Sequence, residues 1–286
     1  MEQQTRQTAE AEEAERVFHM WEPLRFETVE GYDYQRKGLL PSTGNALLRI
    51  FVDLILSVFD KIAFGFRIEG QENLKLLGER GAVTICNHLH PLDCSMVDLA
   101  VRRRRIYYIT LEANFRIPVI RHLIRILGAV PLPHKSHTSR ELFDAMARAV
   151  QDGACVQIYP EGVMMPYCRK LRSFRNGAFR LAVKSGAPIL PMVIVQRKPS
   201  GIYRLYKNKP CLTLKVLPPI EADPSLGKRE AADDLKQRCF DAMDIRNRTL
   251  VPVVEMDALA RKFRRPPSSL SPTHTSVVEF PMQHQQ

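Results

Sequence analysis

AVTICNHLHPLDCSM (82–96) passes from a short apolar run into a turn holding two histidines and an aspartate, and then into a helical pattern. Ala82–Cys86 is apolar or β-branched at every position, without the alternation of a half-exposed strand, so it reads as a strand buried on both faces. Asp93 stands where the next helix begins. The stretch is therefore a strand–turn–helix unit, and sites in α/β sheets form at the carboxyl ends of such strands. Three readings fit the cluster. His88, His90 and Asp93 are possible zinc ligands; Asp93 is a possible helix cap in a purely structural turn; and His88 with Asp93 is a possible base–orienter pair. The metal reading has no second histidine cluster to support it, since His19, His122, His134, His137, His274 and His284 show no ligand spacing.

Working outward, similar runs recur at 105–110, 128–132, 154–159, 188–195 and 212–217, with helical patterns between several of them. Ile120, Leu123, Ile124 and Leu127 form one stripe at three-four spacing, and Leu142, Met146, Ala149 and Val150 form another. Strands alternating with helices predict an α/β fold with a mixed, largely parallel sheet flanked by helices. The last helix is expected over 231–248, with Leu235, Cys239 and Met243 on one side; residues 251–286 are rich in Pro, Ser, Thr and Gln and read as an unfolded tail.

The 286 residues carry a formal charge of +11, unevenly distributed. Residues 1–40 hold five Lys/Arg and nine Asp/Glu, which leaves 37 basic and 22 acidic residues, or +15, for the remainder. Residues 1–44 thus read as an acidic extension and 67–250 as a basic body. Such a surface suits an anionic membrane, a nucleic acid or a phosphorylated substrate. No finger, helix-turn-helix or aromatic-basic interleaving supports nucleic acid as a partner. The six cysteines are scattered, without a C-x-x-C pair, and read as reduced thiols of an intracellular protein. The amino-terminal sequence has no basic segment followed by an apolar one, so no signal peptide is expected there.

Residues 45–66, NALLRIFVDLILSVFDKIAFGF, place Leu47, Ile50, Phe51, Leu54, Ile55, Val58, Phe59 and Ile62 at helical spacing, with Arg49, Asp53 and Asp60 on another face. Four charges make this a poor membrane span. The helix is expected to be an amphipathic, membrane-docking one that lies in the interface; packing on the protein's own core is the alternative.

Asn87-His88 followed by Asp93 resembles the N-H-x4-D box of the lysophosphatidic acid and glycerolphosphate acyltransferase superfamily. Three further stretches resemble that family's other blocks in the same order: 113–133, ending in Gly-Ala-Val-Pro; Tyr159-Pro160-Glu161-Gly162 with 173–182; and 187–194. The resemblance spans residues 65–222. It implies transfer of an acyl chain from acyl-CoA or acyl-carrier protein to a lysophospholipid hydroxyl at the cytoplasmic face of a membrane, with no cofactor and no metal. It further implies His88 as base, Asp93 as its orienter, and substrate-binding roles for Asn87, Glu161, Gly162 and Arg175, the last standing where the family's Phe-Lys-x-Gly lysine falls. Oxyanion donors are sought among backbone N–H groups near Gly162. The arginine that usually follows Pro-Glu-Gly-Thr in the family is Met164 here. That departure leaves two alternatives to a lysophosphatidic acid acceptor: an acceptor lacking a phosphomonoester, or a non-catalytic lipid-surface protein on the same fold.

Overall fold

In a computed structural model, the described residues are 26–35, 43–101, 104–133 and 136–248. In chain order the elements are helix α1 (Thr43–Phe64), strand β1 (Arg67–Glu69), β2 (Ala82–Cys86), α2 (Asp93–Val101), β3 (Ile106–Leu111), α3 (Pro118–Ile126), β4 (Ala129–Leu132), α4 (Ser136–Gln151), β5 (Cys155–Ile158), α5 (Gly177–Ser185), β6 (Ile189–Arg197), the single turn α6 (Tyr203–Tyr206), β7 (Cys211–Val216) and α7 (Lys228–Arg248). All six strands anticipated from the apolar runs are present. The seventh, β1, is a three-residue edge strand whose composition, Arg-Ile-Glu, carries no strand signal.

The strands form one sheet in the order β1-β7-β6-β2-β5-β3-β4, and every pairing is parallel except β6 with β7. β2 lies in the interior, between β6 and β5, and all five of its residues are buried. Its side chains divide two cores. Val83 and Ile85 face Leu142, Met146, Phe179, Leu181, Leu235 and Met243 from α4, α5 and α7, while Ala82 and Cys86 face Met96, Val97 and Ala100 of α2. The helix after β2 therefore packs on one face and the helix after the neighbouring β5 on the other. That arrangement opens a crevice between the two strand ends, where ligand sites of open α/β sheets form.

The stripes on α4 and α7 are buried as their periodicity requires. The stripe on α1 behaves differently: Ile50, Phe51, Leu54, Ile55, Val58, Phe59 and Ile62 are all exposed, Phe51 at 60%. Packing on the core involves the opposite side of this helix, through Asp60 and Phe64. Residues 26–35, which the acidic composition assigns to a separate extension, lie on the domain: Phe26 stacks on Phe115 and Gln35 Nε2 donates to Ala145 O. Arg104 and Arg105 donate to backbone carbonyls, at Arg80 and Gln35 respectively. Arg102, Arg103 and the tail 251–286 lie outside the described residues.

Candidate active site

Three loops leave the carboxyl ends of the adjacent parallel strands β5, β2 and β6, and so meet at one edge of the sheet. The loop after β2 carries the histidines. His88 Nδ1 lies 3.0 Å from Asp93 Oδ2, and the same oxygen accepts the backbone N–H groups of Leu89 (2.7 Å) and His90 (3.0 Å). Asp93 is thus fully buried and has two jobs. It folds the loop back on itself, and it orients the imidazole. If Nδ1 carries the hydrogen and donates it to the carboxylate, Nε2 keeps its lone pair; the His88 side chain is 24% exposed.

The imidazole is also held flat. Tyr159, at the end of β5, stacks on it with ring centroids 4.1 Å apart and an interplanar angle of 16°. Sequence patterning does not single out this tyrosine; its place immediately before Pro160-Glu161-Gly162, on the strand beside β2, is the only hint. His90 takes a different part. Its Nδ1 accepts the N–H of Leu92, and its ring meets the edge of Phe64 at 4.6 Å. Burial pushes its pKa down, Asp93 opposes that, and Lys209 adds to the lowering, which favours a neutral ring. With both Nδ1 atoms engaged inside the loop, His88, His90 and Asp93 do not converge on a common point. Among the described residues, the three-member group with metal-ligand geometry is Glu30, His137 and Glu141, far along the chain from this loop.

The two thiols flanking the pair, Cys86 and Cys94, are poor nucleophiles. Burial raises the Cys86 thiol well above its usual value, and burial with the Asp93 charge pushes Cys94 up to about 12.

Asn87 is a brace. Its Nδ2 donates to Ile194 O (2.9 Å) and its Oδ1 accepts Ile194 N–H (2.7 Å), so the amide extends the β2–β6 ladder by one side chain. It is buried, at 3% exposure, immediately before His88.

Glu161 is similarly engaged. Its carboxylate is 2% exposed and pairs with Arg172 at 3.1 Å, while Arg172 N–H reaches the other oxygen at 3.2 Å. Arg172 also donates to Val163 O. The pair pins the two ends of the 161–172 loop together. The loop leans on the histidine segment through Met165 N–H to His88 O (3.0 Å) and Tyr167 N–H to Leu89 O (3.2 Å).

Gly162 adopts φ +75°, and its missing side chain leaves room for Arg175: a Cβ there would lie 2.5 Å from Arg175 Nε. Arg175 is exposed and rooted by its own N–H on Pro160 O (2.8 Å). The Gly162 N–H is spent on Tyr159 O (3.1 Å), so it is not the oxyanion donor sought near this turn. Met164 is half-buried beside exposed Val163 and Met165.

Residues 65–195 match the family model described as Acyltransferase. The chain is 30% identical over 152 residues to the chloroplastic 1-acyl-sn-glycerol-3-phosphate acyltransferase of Arabidopsis thaliana, covering 52% of this chain and 40% of that protein. It is 32% identical over 136 residues to the human 1-acyl-sn-glycerol-3-phosphate acyltransferase beta, covering 46% of this chain and 48% of the relative. These matches span less than half the length of either relative. The crystal structure of the 1-acyl-sn-glycerophosphate acyltransferase PlsC from Thermotoga maritima superposes with a TM-score of 0.47 at 23% identity, over 73% of this chain and 84% of that one.

Proposed function

We propose that this chain, whose residues 65–195 match the Acyltransferase family model and which is similar to 1-acyl-sn-glycerol-3-phosphate acyltransferases, is a member of the lysophosphatidic acid and glycerolphosphate acyltransferase superfamily and transfers a fatty acyl group from a thioester to the free hydroxyl of a lysophospholipid, with 1-acyl-sn-glycerol-3-phosphate the favoured acceptor. The observation that carries this reading is the His88–Asp93 contact at 3.0 Å, set on a fully buried carboxylate at the mouth of the sheet crevice.

The reaction follows from that geometry. A lipid hydroxyl is a weak nucleophile near neutral pH, so its proton must leave as the oxygen attacks the thioester carbonyl. His88 Nε2 takes that proton, and Asp93 stabilises the imidazolium through Nδ1. Collapse of the tetrahedral intermediate breaks the C–S bond, and the thiolate leaves with the proton returned by His88. The new ester and the free thiol are the products, with no acyl-enzyme required.

The departure at Met164 removes one cation from the acceptor pocket and Arg172 is committed to Glu161, which leaves Arg175 above Gly162 as the group suited to a phosphomonoester. The donor is acyl-CoA or acyl-carrier protein.

The protein works at a lipid surface, docked peripherally or monotopically through α1 on a cytoplasmic face. No helix among the described residues is long and apolar enough to cross a membrane, whereas the exposed stripe on α1 is suited to lying in the interface.

Lipid-product analysis of the purified protein, with acyl-CoA, acyl-carrier protein and a panel of acceptors, tests the whole reading. Thioester-dependent conversion of 1-acyl-sn-glycerol-3-phosphate that is lost in His88→Ala is expected. Absence of thioester consumption with every donor and acceptor would leave a non-catalytic lipid-surface protein. Preference for acceptors without phosphate would reassign the acceptor alone.

A further inference from the structure

Between β6 and β7 the chain makes an excursion, KPSGIYRLYKNKP (198–210), that the proposed chemistry does not use. It is built outward. Leu205, in the single turn α6, is 84% exposed, Ile202 67% and Tyr206 53%, the first being the most exposed large apolar side chain among the described residues. Yet the backbone beneath is tied down. Tyr203 Oη donates to Lys61 O and Tyr206 Oη to Ile62 O, each at 2.9 Å, and Lys207 Nζ donates to Ala63 O. Three donors from the excursion thus cap the last three residues but one of α1, satisfying carbonyls that a helix end leaves open.

Topology explains the meeting. β6 runs parallel to β2, so its carboxyl end lies at the edge where the His88 loop emerges. β7 returns antiparallel to β6, and β1 runs parallel to β7, so β1 starts at that same edge and α1, which feeds β1, ends there. On the other side, Gln196 Nε2 donates to Tyr167 O (2.8 Å), and Lys209 lies 5.5 Å over the Tyr167 ring, which in turn faces His90. The excursion therefore joins the exposed helix to the rim of the candidate active site.

Charge identifies what covers it. Residues 197–209 contain Arg197, Lys198, Arg204, Lys207 and Lys209 and no Asp or Glu. Apolar side chains projecting from a rigid base, ringed by cations, suit an anionic bilayer surface: the leucine enters the acyl boundary and the cations meet phosphates. The geometry points to the 198–210 excursion as a second lipid anchor, with Leu205 and Ile202 as the inserted side chains and Arg204 among the headgroup contacts. Acting with the exposed stripe of α1, it seats the sheet edge carrying His88 against the lipid surface. This inference rests on the proposed work at a lipid interface but not on the acyl transfer itself.

Co-sedimentation with vesicles of phosphatidylglycerol and phosphatidylcholine, compared with phosphatidylcholine alone, tests it on the full chain. Leu205→Glu is expected to weaken partitioning to the mixed vesicles roughly 10-fold or more, because it replaces the inserted side chain with a charge. Arg204→Gln is expected to weaken binding to the anionic vesicles several-fold and binding to phosphatidylcholine hardly at all. Thermal unfolding of both variants should match the parent, since both side chains are exposed. Unchanged partitioning in both variants would overturn the proposal. So would unchanged partitioning accompanied by loss of a dimer in Leu205→Glu, which would make the surface a contact between copies. Because the readout is binding, an absence of acyltransferase activity would sink the reaction while leaving this result interpretable.

Discussion

Asp60 Oδ2 on α1 lies 2.8 Å from Ser95 Oγ on α2, and Ser95 Oγ lies 2.7 Å from Leu92 O. A hydroxyl has one hydrogen. If Ser95 donates to Leu92 O, a protonated Asp60 completes the chain by donating to Ser95, and a charged Asp60 cannot. Burial accordingly raises the Asp60 pKa to about 6 from 3.8, with the Asp93 charge adding to it against the Ser95 hydrogen bond. The helix with the exposed apolar stripe is thus joined to the helix that begins with Asp93 by a carboxyl group poised near neutrality.

Stability should respond to pH through this group. The folded pKa lies above the unfolded one, so the native state binds more protons between the two values, and stability falls as pH rises from about 4 to about 6. A shift of that size corresponds to about 3 kcal/mol at most. Asp60→Asn retains a donor for Ser95 and removes the charge. Denaturant unfolding should show it more stable than the parent above pH 6 and flatter across pH 4–6. A parent slope of the opposite sign in that window, or its survival in Asp60→Asn, would refute the assignment.

The dyad should be separable from the scaffold. His88→Ala should lower acyl transfer about 10²- to 10⁴-fold, the usual worth of general-base catalysis, with the unfolding midpoint nearly unchanged. Asp93→Ala should do more than disable the base. It strands the Leu89 and His90 N–H groups in a buried loop, at about 1 to 3 kcal/mol each. Asp93→Asn should recover much of that stability but little of the activity. Activity surviving in His88→Ala, or activity abolished by chelators and restored by zinc, would count against the pair.

Glu161 and Arg172 should matter to folding before chemistry. Arg172→Ala leaves a carboxylate 2% exposed without its partner, at a cost of about 3 to 5 kcal/mol. The double variant Glu161→Gln, Arg172→Met should recover most of the lost stability in denaturant titration. If Arg172→Ala instead keeps its stability and raises only the acceptor KM, the arginine faces substrate and the brace is misassigned.

For Arg175 the expected change lies in acceptor kinetics. If it holds the phosphate of 1-acyl-sn-glycerol-3-phosphate, Arg175→Ala should lower kcat/KM for that acceptor roughly 10- to 100-fold, the equivalent of one charge-assisted hydrogen bond. Gly162→Ala should produce a similar loss, because its methyl group would occupy the space of the guanidinium in a φ +75° turn that alanine tolerates poorly. Combining the two should add little to either. Met164→Arg should leave activity intact or improve it. Equal effects of Arg175→Ala on acceptors with and without phosphate would exclude the phosphate role.

Local pattern alone was enough to read the strand runs and the stripes of α4 and α7, and it brought His88 and Asp93 together as one of three readings that the family resemblance then narrowed, because each depends on short-range periodicity or on residues five positions apart on one turn. The family resemblance also placed Glu161, Gly162 and Arg175 in one neighbourhood. What it could not tell was which of these side chains are used up by the scaffold. Asn87 is consumed by Ile194, 107 residues away, and Glu161 by Arg172 across a loop, since a buried polar group takes whatever partner the fold brings within reach. Tyr159 became part of the site only because β5 pairs with β2. The same limit applies to α1: its sequence determined that one face is apolar, but whether that face meets a core or remains exposed depended on the opposite face, where Asp60 and Phe64 find Ser95 and His90. Periodicity states which side chains share a side; only the packing of distant strands decides what that side touches.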